Sequence, residues 1–121
     1  MMIQANELRI WNYAYDPNNE ITQISAKTFE LLEEVNTYCL SPIPLTRDIL
    51  LKCGFKEVAV YANVYSMGNI RIHTDKYEKT NTVLFVLYCD DDSVFSKEVS
   101  SVHQLQNLYF ALNDIELDIK L

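Results

Sequence analysis

Ser101-Val-His-Gln-Leu-Gln-Asn-Leu-Tyr-Phe-Ala-Leu112 is the stretch of sequence that decides the fold. Its apolar residues recur at helical spacing, which predicts an amphipathic helix over 101–113. Ser101 followed three residues later by Gln104 is the pattern of a capping box. The stripe predicted to be buried consists of Val102, Leu105, Leu108, Tyr109 and Leu112. Because the preceding chain is rich in strand-forming residues, this helix predicts an α+β fold.

The opposite side of this helix carries a different set of residues, namely His103, Gln106, Asn107 and Phe110. Phe110 is the misfit, since by helical angle it lies off the buried stripe among polar side chains. One interpretation is that it covers an N-terminal hairpin. The other is that it is an exposed aromatic anchor for a partner protein. We therefore count all four as candidate partner-binding residues.

A short central helix is predicted over 46–53. Thr46 is a suitable N-cap, and Gly54 can take the left-handed angle that ends a helix. Asp48 and Lys52 lie at the ends where the helix dipole favours their charges. Leu50 is expected to be buried, because the residues flanking the helix can fold onto it from both ends.

An N-terminal hairpin is predicted from strands at 7–15 and 20–25. The turn between them, Asp16-Pro-Asn-Asn19, combines a proline with residues that tolerate left-handed angles. Residues 26–36 fit either a helix or an extension of the sheet. A strand is predicted at 36–40, followed by an extended connector at Pro42-Ile-Pro44, where proline removes ladder donors.

The second half predicts further antiparallel strands. Residues 58–65 alternate between an aliphatic and an aromatic-polar face, and Met67-Gly-Asn69 turns the chain into a strand starting at Ile70. Val83–Cys89 is apolar on both faces, which predicts a central strand covered on both sides. Asp90-Asp-Asp92 ends it, and a shorter strand follows at 94–97. We expect a single α+β domain over 1–121, built on a bent antiparallel sheet or partly closed barrel with the two helices packed across it.

Composition limits the possible functions. The chain has 121 residues, a net charge of −7 and a pI of about 4.7. Nucleic-acid binders and anionic membrane surfaces both require clustered Lys and Arg, so direct binding of either is not expected. The acidity serves solubility, or it forms a face that docks on a basic protein. Three widely spaced cysteines, no signal peptide and no long apolar run predict a cytoplasmic protein.

The sequence shows no catalytic, cofactor or metal motif. His73 and His103 lack neighbours at metal-ligand spacing. Asp90-Asp-Asp92 lacks the glycine and the distal glutamate of a calcium loop and is better read as a solvated turn. Cys53 and Cys89 lie in apolar stretches, where core thiols are expected. We therefore expect no enzymatic activity, no cofactor and no metal site.

Three blocks of the sequence resemble a family of short uncharacterised proteins from gut-type bacteria, their phages and mobile elements. The blocks are Asn6-Glu-Leu-Arg-Ile10, Pro42-Ile-Pro-Leu-Thr46 running into Ile49-Leu-Leu-Lys-Cys-Gly-Phe55, and Val102–Leu112. The resemblance implies a genomic setting and an SH3-like, strand-rich architecture, without an activity. It also weakens the helix prediction at 26–36.

The chain departs from that family at two places. The family usually has Gly-Asn where this chain has Trp11-Asn12, and Thr-Gly where it has Asn113-Asp114. Glycine permits backbone angles that tryptophan adopts only at a cost. Hence either the hairpin has a different local structure here, or Trp11 is a new exposed anchor. The competing interpretation is that Trp11 lies in the core.

The leading functional hypothesis is a small, acidic, non-enzymatic interaction protein of a phage or mobile element, an anti-CRISPR-like inhibitor that binds a basic, nucleic-acid-handling host defence nuclease. The alternatives are a self-associating virion or assembly protein, or a globular protein with no defined activity. The candidate partner-binding residues are Trp11, Tyr13, Asp90, Asp91, Asp92, His103, Gln106, Asn107 and Phe110.

Overall fold

The computed structural model of the protein describes residues 2–34, 38–58, 63–74, 82–89 and 92–121, and these form the predicted α+β fold. The chain divides into two compact units, Met1–Pro44 with Ser101–Glu116, and Leu45–Ser100 with Leu117–Leu121. The single domain stays a prediction. The elements are, in chain order, a 3-10 helix Ala5–Glu7, β1 Tyr13–Tyr15, β2 Ile21–Gln23, α1 Ala26–Glu34, α2 Arg47–Lys52, β3 Lys56–Glu57, β4 Val64–Met67, β5 Ile70–His73, β6 Val83–Cys89, β7 Asp92–Val99 and α3 Val102–Asn113.

The N-terminal hairpin is confirmed, but its first strand is shorter than predicted. β1 pairs antiparallel with β2 and begins at Tyr13 rather than at residue 7. The reason is local, since Ala5–Glu7 is a 3-10 helix and Trp11 has a left-handed φ of +85°. At the tip, Asp16 Oδ1 accepts from the backbone N–H of Asn18 at 2.9 Å, and Asn19 adopts φ +61°. The predicted turn chemistry is therefore present.

Residues 26–34 are helical, which settles the open choice for the described part of 26–36. Helix α1 begins after Ser25, whose backbone N–H donates to Thr28 Oγ1 at 3.1 Å. The core of the first unit comprises Ile3, Leu8, Ala14, Ile24 and Leu40, with Phe29, Leu32 and Tyr38 packed against it.

The strand predicted at 36–40 is wrong in its described part. Residues 38–40 form no strand, and residues 36 and 37 lie outside the described ranges. The following residue, Ser41, forms an isolated β-bridge, exchanging backbone hydrogen bonds of 2.9 and 3.0 Å with Tyr15. The chain then enters the proline-flanked connector, which limits further pairing.

The central helix is capped as predicted. Thr46 Oγ1 accepts from the backbone N–H of Ile49 at 3.2 Å, and Gly54 adopts φ +95°. Phe55 N donates to the carbonyl of Leu50 at 3.2 Å. Leu50 and Phe55 are both buried. The local sequence thus fixes α2 at both ends.

The second unit contains an open antiparallel sheet in the order β3-β4-β5-β6-β7. The sheet is not closed, so the barrel alternative is wrong. β6 is internal, and its adjacent residues Phe85 and Val86, which point to opposite faces, are both buried. β7 is longer than the predicted 94–97. Much of the alternating pattern predicted at 58–65 lies outside the described residues, because 59–62 are not described.

Candidate functional site

The predicted orientation of helix α3 is partly wrong. Val102 and Leu105 are buried as expected, but Leu112 is exposed. His103 and Gln106, predicted on the outer face, are buried, with Gln106 only 1% exposed. Helical periodicity located the face on which apolar side chains recur, but the polar face packs against the N-terminal segment of its own unit. That segment, residues 7–13, runs from the end of the 3-10 helix to the first residue of β1. The N–H and C=O groups of the irregular backbone between them require polar partners when buried.

Gln106 supplies two of these partners. Its Oε1 accepts from the backbone N–H of Tyr13 at 2.8 Å, and its Nε2 donates to the carbonyl of Trp11 at 3.0 Å. Both backbone groups lie where the chain enters β1. One side-chain amide therefore replaces a neighbouring strand at this position.

Asn107, one residue further on, binds the same segment at other points. Its Nδ2 donates to the carbonyl of Glu7 at 2.9 Å. Its Oδ1 accepts from Arg9 Nε at 2.8 Å and from Asn12 Nδ2 at 2.9 Å. Asn12 is buried, and its own Oδ1 accepts from the Arg9 backbone N–H at 2.7 Å. The two adjacent amides of α3 thus fix the backbone from Glu7 to Tyr13.

Arg9 completes this network. Its guanidinium lies 4.5 Å from the centre of the Phe110 ring, donates to the Gln106 carbonyl at 3.2 Å and forms an ion pair with Glu116. Phe110 therefore contacts the N-terminal segment through a cation–π interaction, in agreement with the first interpretation of this residue. Its binding to a partner protein stays a prediction.

Trp11 is the residue that this network presents to solvent. Its backbone N–H donates to the Ile24 carbonyl at 3.0 Å, and its carbonyl accepts from Gln106 and, at 3.3 Å, from Gln23 Nε2. The side chain is 58% exposed, so the core interpretation is wrong. A φ of +85° costs a residue with a side chain about 1–2 kcal/mol. Such strain persists only where surrounding contacts impose it, and it is often found at functional sites.

Ser101, His103 and Glu7 lie in a row that resembles a catalytic triad. Ser101 Oγ is 3.0 Å from His103 Nδ1, and His103 Nε2 is 3.6 Å from Glu7 Oε1. A nucleophile must reach its substrate, but Ser101 is only 1% exposed. The row is therefore structural. It also corrects the predicted capping box, since Ser101 makes no side-chain cap bond to the helix backbone.

The surroundings of His103 disfavour its charged form. Burial lowers the pKa of His103 below its usual value, and the Glu7 carboxylate only partly offsets this effect. Nε2 has no hydrogen-bond partner. In the tautomer that accepts from Ser101 at Nδ1, the neutral ring carries its proton on Nε2, which faces the Glu7 carboxylate. Burial thus favours the neutral form of a ring that is poorly paired at Nε2.

The remaining predicted residues lie elsewhere or outside the described ranges. Tyr13 is half-buried at the start of β1, and Asp92 is exposed at the start of β7. Asp90 and Asp91 are outside the described residues, so the interpretation of this triplet as a turn stays a prediction. Burial raises the pKa of the Cys53 thiol to about 12, whereas Cys89 is exposed and not the core thiol that was predicted.

Comparison with known proteins gave no relatives. No family model, curated protein or solved structure matches the chain. Within the described ranges, no three or more His, Cys, Asp or Glu side chains are grouped so that they could hold a metal ion. No helix among the same residues is both long enough and apolar enough to cross a bilayer. The contacts within the molecule must therefore carry any functional argument.

Sequence reasoning missed four residues of this network. Glu7, Arg9, Asn12 and Glu116 were not candidates, although they bind or face the polar side of α3. The available signal was the adjacent pair Gln106-Asn107 between the apolar residues Leu105 and Leu108. Side-chain hydrogen bonds go mostly to backbone or water. Which backbone they bind follows only from the tertiary structure.

Proposed function

We propose that this protein is a non-enzymatic protein-interaction module and that Trp11 is its anchor residue. The observation that carries the proposal is a tryptophan that is 58% exposed and held at a strained φ. Its carbonyl accepts hydrogen bonds from Gln106 and Gln23, and its N–H donates to the Ile24 carbonyl. A core or solubility role would not require such a residue. Tryptophan is strongly enriched among the residues that dominate binding energy at protein interfaces.

Preorganisation supports this role. Binding costs entropy when a loop and a large side chain must be ordered on contact. Here the Trp11 backbone is already ordered by the α3 amides and by the network around Arg9. The surface therefore offers an aromatic side chain on a fixed backbone. Tyr13, two residues along the chain and half-buried, is proposed to extend the contact.

The partner is proposed from charge and from the resemblance. A net charge of −7 favours association with a basic protein by electrostatic steering. The resemblance to short phage and mobile-element proteins suggests a basic, nucleic-acid-handling protein of the bacterial cytoplasm, such as a defence nuclease that this chain would inhibit. The acidic residues Asp90, Asp91 and Asp92 are proposed to contribute to that attraction.

Capture from bacterial lysate, followed by affinity measurements with the purified captured protein, tests the proposal. Trp11→Gly removes the side chain and fits the positive φ, so the fold is retained. We expect it to weaken binding about 30-fold, the effect of losing a hot-spot residue. Leu51→Ala is the matched control, since it removes an exposed apolar side chain from the second unit.

Salt dependence provides the second readout. We expect affinity to fall as sodium chloride is raised, because screening weakens attraction between an acidic and a basic protein. Equal binding by wild type and Trp11→Gly would contradict the anchor. Binding that does not change with salt would contradict the basic partner, and the absence of any captured protein would contradict the proposed function as a whole.

A self-associating structural or accessory protein is the second candidate function. The observation that favours it is the exposed strand β7, which lies at one end of the five-stranded sheet. This candidate expects an oligomer in light scattering at micromolar concentration. A monomer under those conditions would leave the interaction module as the better proposal.

A further inference from the structure

Strand β7 is an unusually exposed edge. It pairs with β6 on one side, and among the described strands none pairs with its other side. Seven consecutive residues, from Asp92 to Glu98, are exposed, although neighbouring residues of a strand point to opposite faces. They include Val94, which is 59% exposed, and Phe95. Long edges with apolar side chains are sites of pairing with another chain.

The register of the sheet shows which backbone groups of β7 face outward. The Tyr88 N–H donates to the Asn69 carbonyl at 2.8 Å, so Tyr88 directs its backbone groups toward β5. Every second residue of β6, counting back from Tyr88, does the same. Phe85 and Leu87 therefore direct theirs toward β7, where they oppose Lys97 and Phe95. The N–H and C=O of Ser96, between those two residues, must point away from the sheet.

If two copies of β7 pair antiparallel about a two-fold axis through Ser96, each residue near the axis lies opposite a compatible residue of the other copy. Ser96 then faces its own copy as a hydrogen-bonded pair, which exchanges two backbone hydrogen bonds. Phe95 of each copy lies opposite Lys97 of the other, where the ammonium can contact the ring. The regular stretch begins at Phe95, because Val94 is the extra β7 residue between the pairs Leu87–Phe95 and Tyr88–Ser93.

Charge and the bulge disfavour the neighbouring registers. A shift of two residues in one direction brings Lys97 opposite its own copy, and like charges directly opposite each other in a sheet are destabilising. A shift in the other direction carries the pairing into the bulge at Val94. The sequence of β7 is therefore complementary to itself in the register centred on Ser96.

The same sheet limits the assembly to two copies. A register shift between Leu87 and Tyr88 marks a bulge in the β6–β7 ladder, which confines regular pairing to the part of β7 beyond it. At the opposite end of the sheet, β3 has only two residues, Lys56 and Glu57, both exposed and charged. A short charged strand is a poor edge for pairing. Edge-to-edge association at β7 therefore closes instead of continuing into a fibre.

We propose that a second copy of this chain pairs antiparallel with the outer edge of β7 about Ser96, joining the two five-stranded sheets into one continuous sheet. The inference does not depend on the Trp11 anchor, which lies in the other unit. It assigns β7 as a homodimer interface.

Sedimentation equilibrium over a concentration series tests the interface with a matched pair of variants. Ser96→Pro removes an N–H that points away from β6, and proline is tolerated on edge strands in that orientation. We expect the wild type to dimerise and Ser96→Pro to weaken dimerisation about tenfold or more, because a central pair loses its donors. Ser96→Thr keeps the N–H and is expected to dimerise like the wild type.

Phe95→Lys is a second disruptive variant that leaves every backbone donor in place. It sets the introduced lysine of each copy opposite Lys97 of the other, so it should also be monomeric. Circular dichroism checks that each variant is folded. A wild type that stays monomeric across the series overturns the proposal, as does a folded Ser96→Pro or Phe95→Lys that dimerises like the wild type.

Discussion

Gln106 donates from Nε2 to the carbonyl oxygen of Trp11 at 3.0 Å, and Trp11 has a φ of +85°. A buried side chain of the last helix thus fixes the backbone of the most exposed aromatic residue of the first unit. The same amide accepts from the Tyr13 N–H through Oε1. Both ends of the amide are used, so the geometry of the loop depends on the identity of residue 106.

Gln106→Met should destabilise the protein clearly. The methionine fills a similar volume but leaves the Tyr13 N–H without an acceptor and removes one donor from the Trp11 carbonyl. We expect the free energy of unfolding to fall by about 2–4 kcal/mol, measured by urea denaturation. Gln23→Met is the control, since it removes a single 3.3 Å bond to the same carbonyl from an exposed side chain. It should cost less than about 1 kcal/mol. Similar losses in the two variants would show that the buried amide has no special role.

Trp11→Gly should leave stability unchanged or increase it by up to about 1 kcal/mol. Glycine relieves the positive φ, and this gain offsets the lost contacts of the half-exposed ring and the added flexibility of the unfolded chain. Thermal and urea unfolding both measure this change in the free energy of unfolding. Ala14→Gly is the comparison, because Ala14 is a buried strand residue. That change should destabilise by about 0.5–1 kcal/mol. A marked loss of stability in Trp11→Gly would mean that the ring contributes to the core.

Asp114→Gly should be stabilising for the same backbone reason. Asp114 is the C-cap of α3 and has a φ of +56°. Glycine is the preferred residue in this left-handed cap, so we expect a gain of about 0.5–1 kcal/mol in urea unfolding. Asn113→Gly, one position earlier and inside the helix, should instead lower stability. Trp11 and Asp114 both have a positive φ, so both are positions that glycine fits.

His103 should make stability depend on pH. Its folded-state pKa is lowered by burial, so the unfolded chain binds the proton more readily. The stabilising contribution of the neutral ring is present above the unfolded pKa of about 6.5 and is lost as pH falls toward the lower folded pKa, by up to about 1.4 kcal/mol per pH unit. Urea unfolding between neutral and mildly acidic pH measures this slope.

One variant isolates the contribution of His103. His103→Gln should flatten the pH dependence in that window, because the titrating group is gone. If the slope survives in His103→Gln, His103 is not its source.

Leu50→Ala should cost about 2–5 kcal/mol, because Leu50 is completely buried and the change leaves a cavity. Its neighbour Leu51 is exposed on the same helix, so Leu51→Ala should change stability by less than about 1 kcal/mol. Urea denaturation of the pair measures the difference. Equal effects would contradict the predicted anchoring of α2 by one leucine.

The sequence by itself determined the elements whose signals are local. Thr46 and Gly54 fixed the ends of α2, the Asp16–Asn19 tetrapeptide fixed the hairpin turn, and the period of 3.6 residues fixed the last helix. Each signal works through contacts between residues a few positions apart. Such contacts do not depend on distant parts of the chain, so a single sequence is enough to predict them.

Only the tertiary structure decided which face of α3 is buried and what its polar residues bind. Gln106 is buried and Asn107 half-buried because an irregular segment about 95 residues earlier brings backbone groups that need partners. No local pattern encodes that pairing. The open sheet with β7 at its edge is likewise a property of strand order, which depends on contacts between distant residues. The closing helix was recognisable from its own sequence, but its polar face acquired a role only when residues 7–13 lay against it.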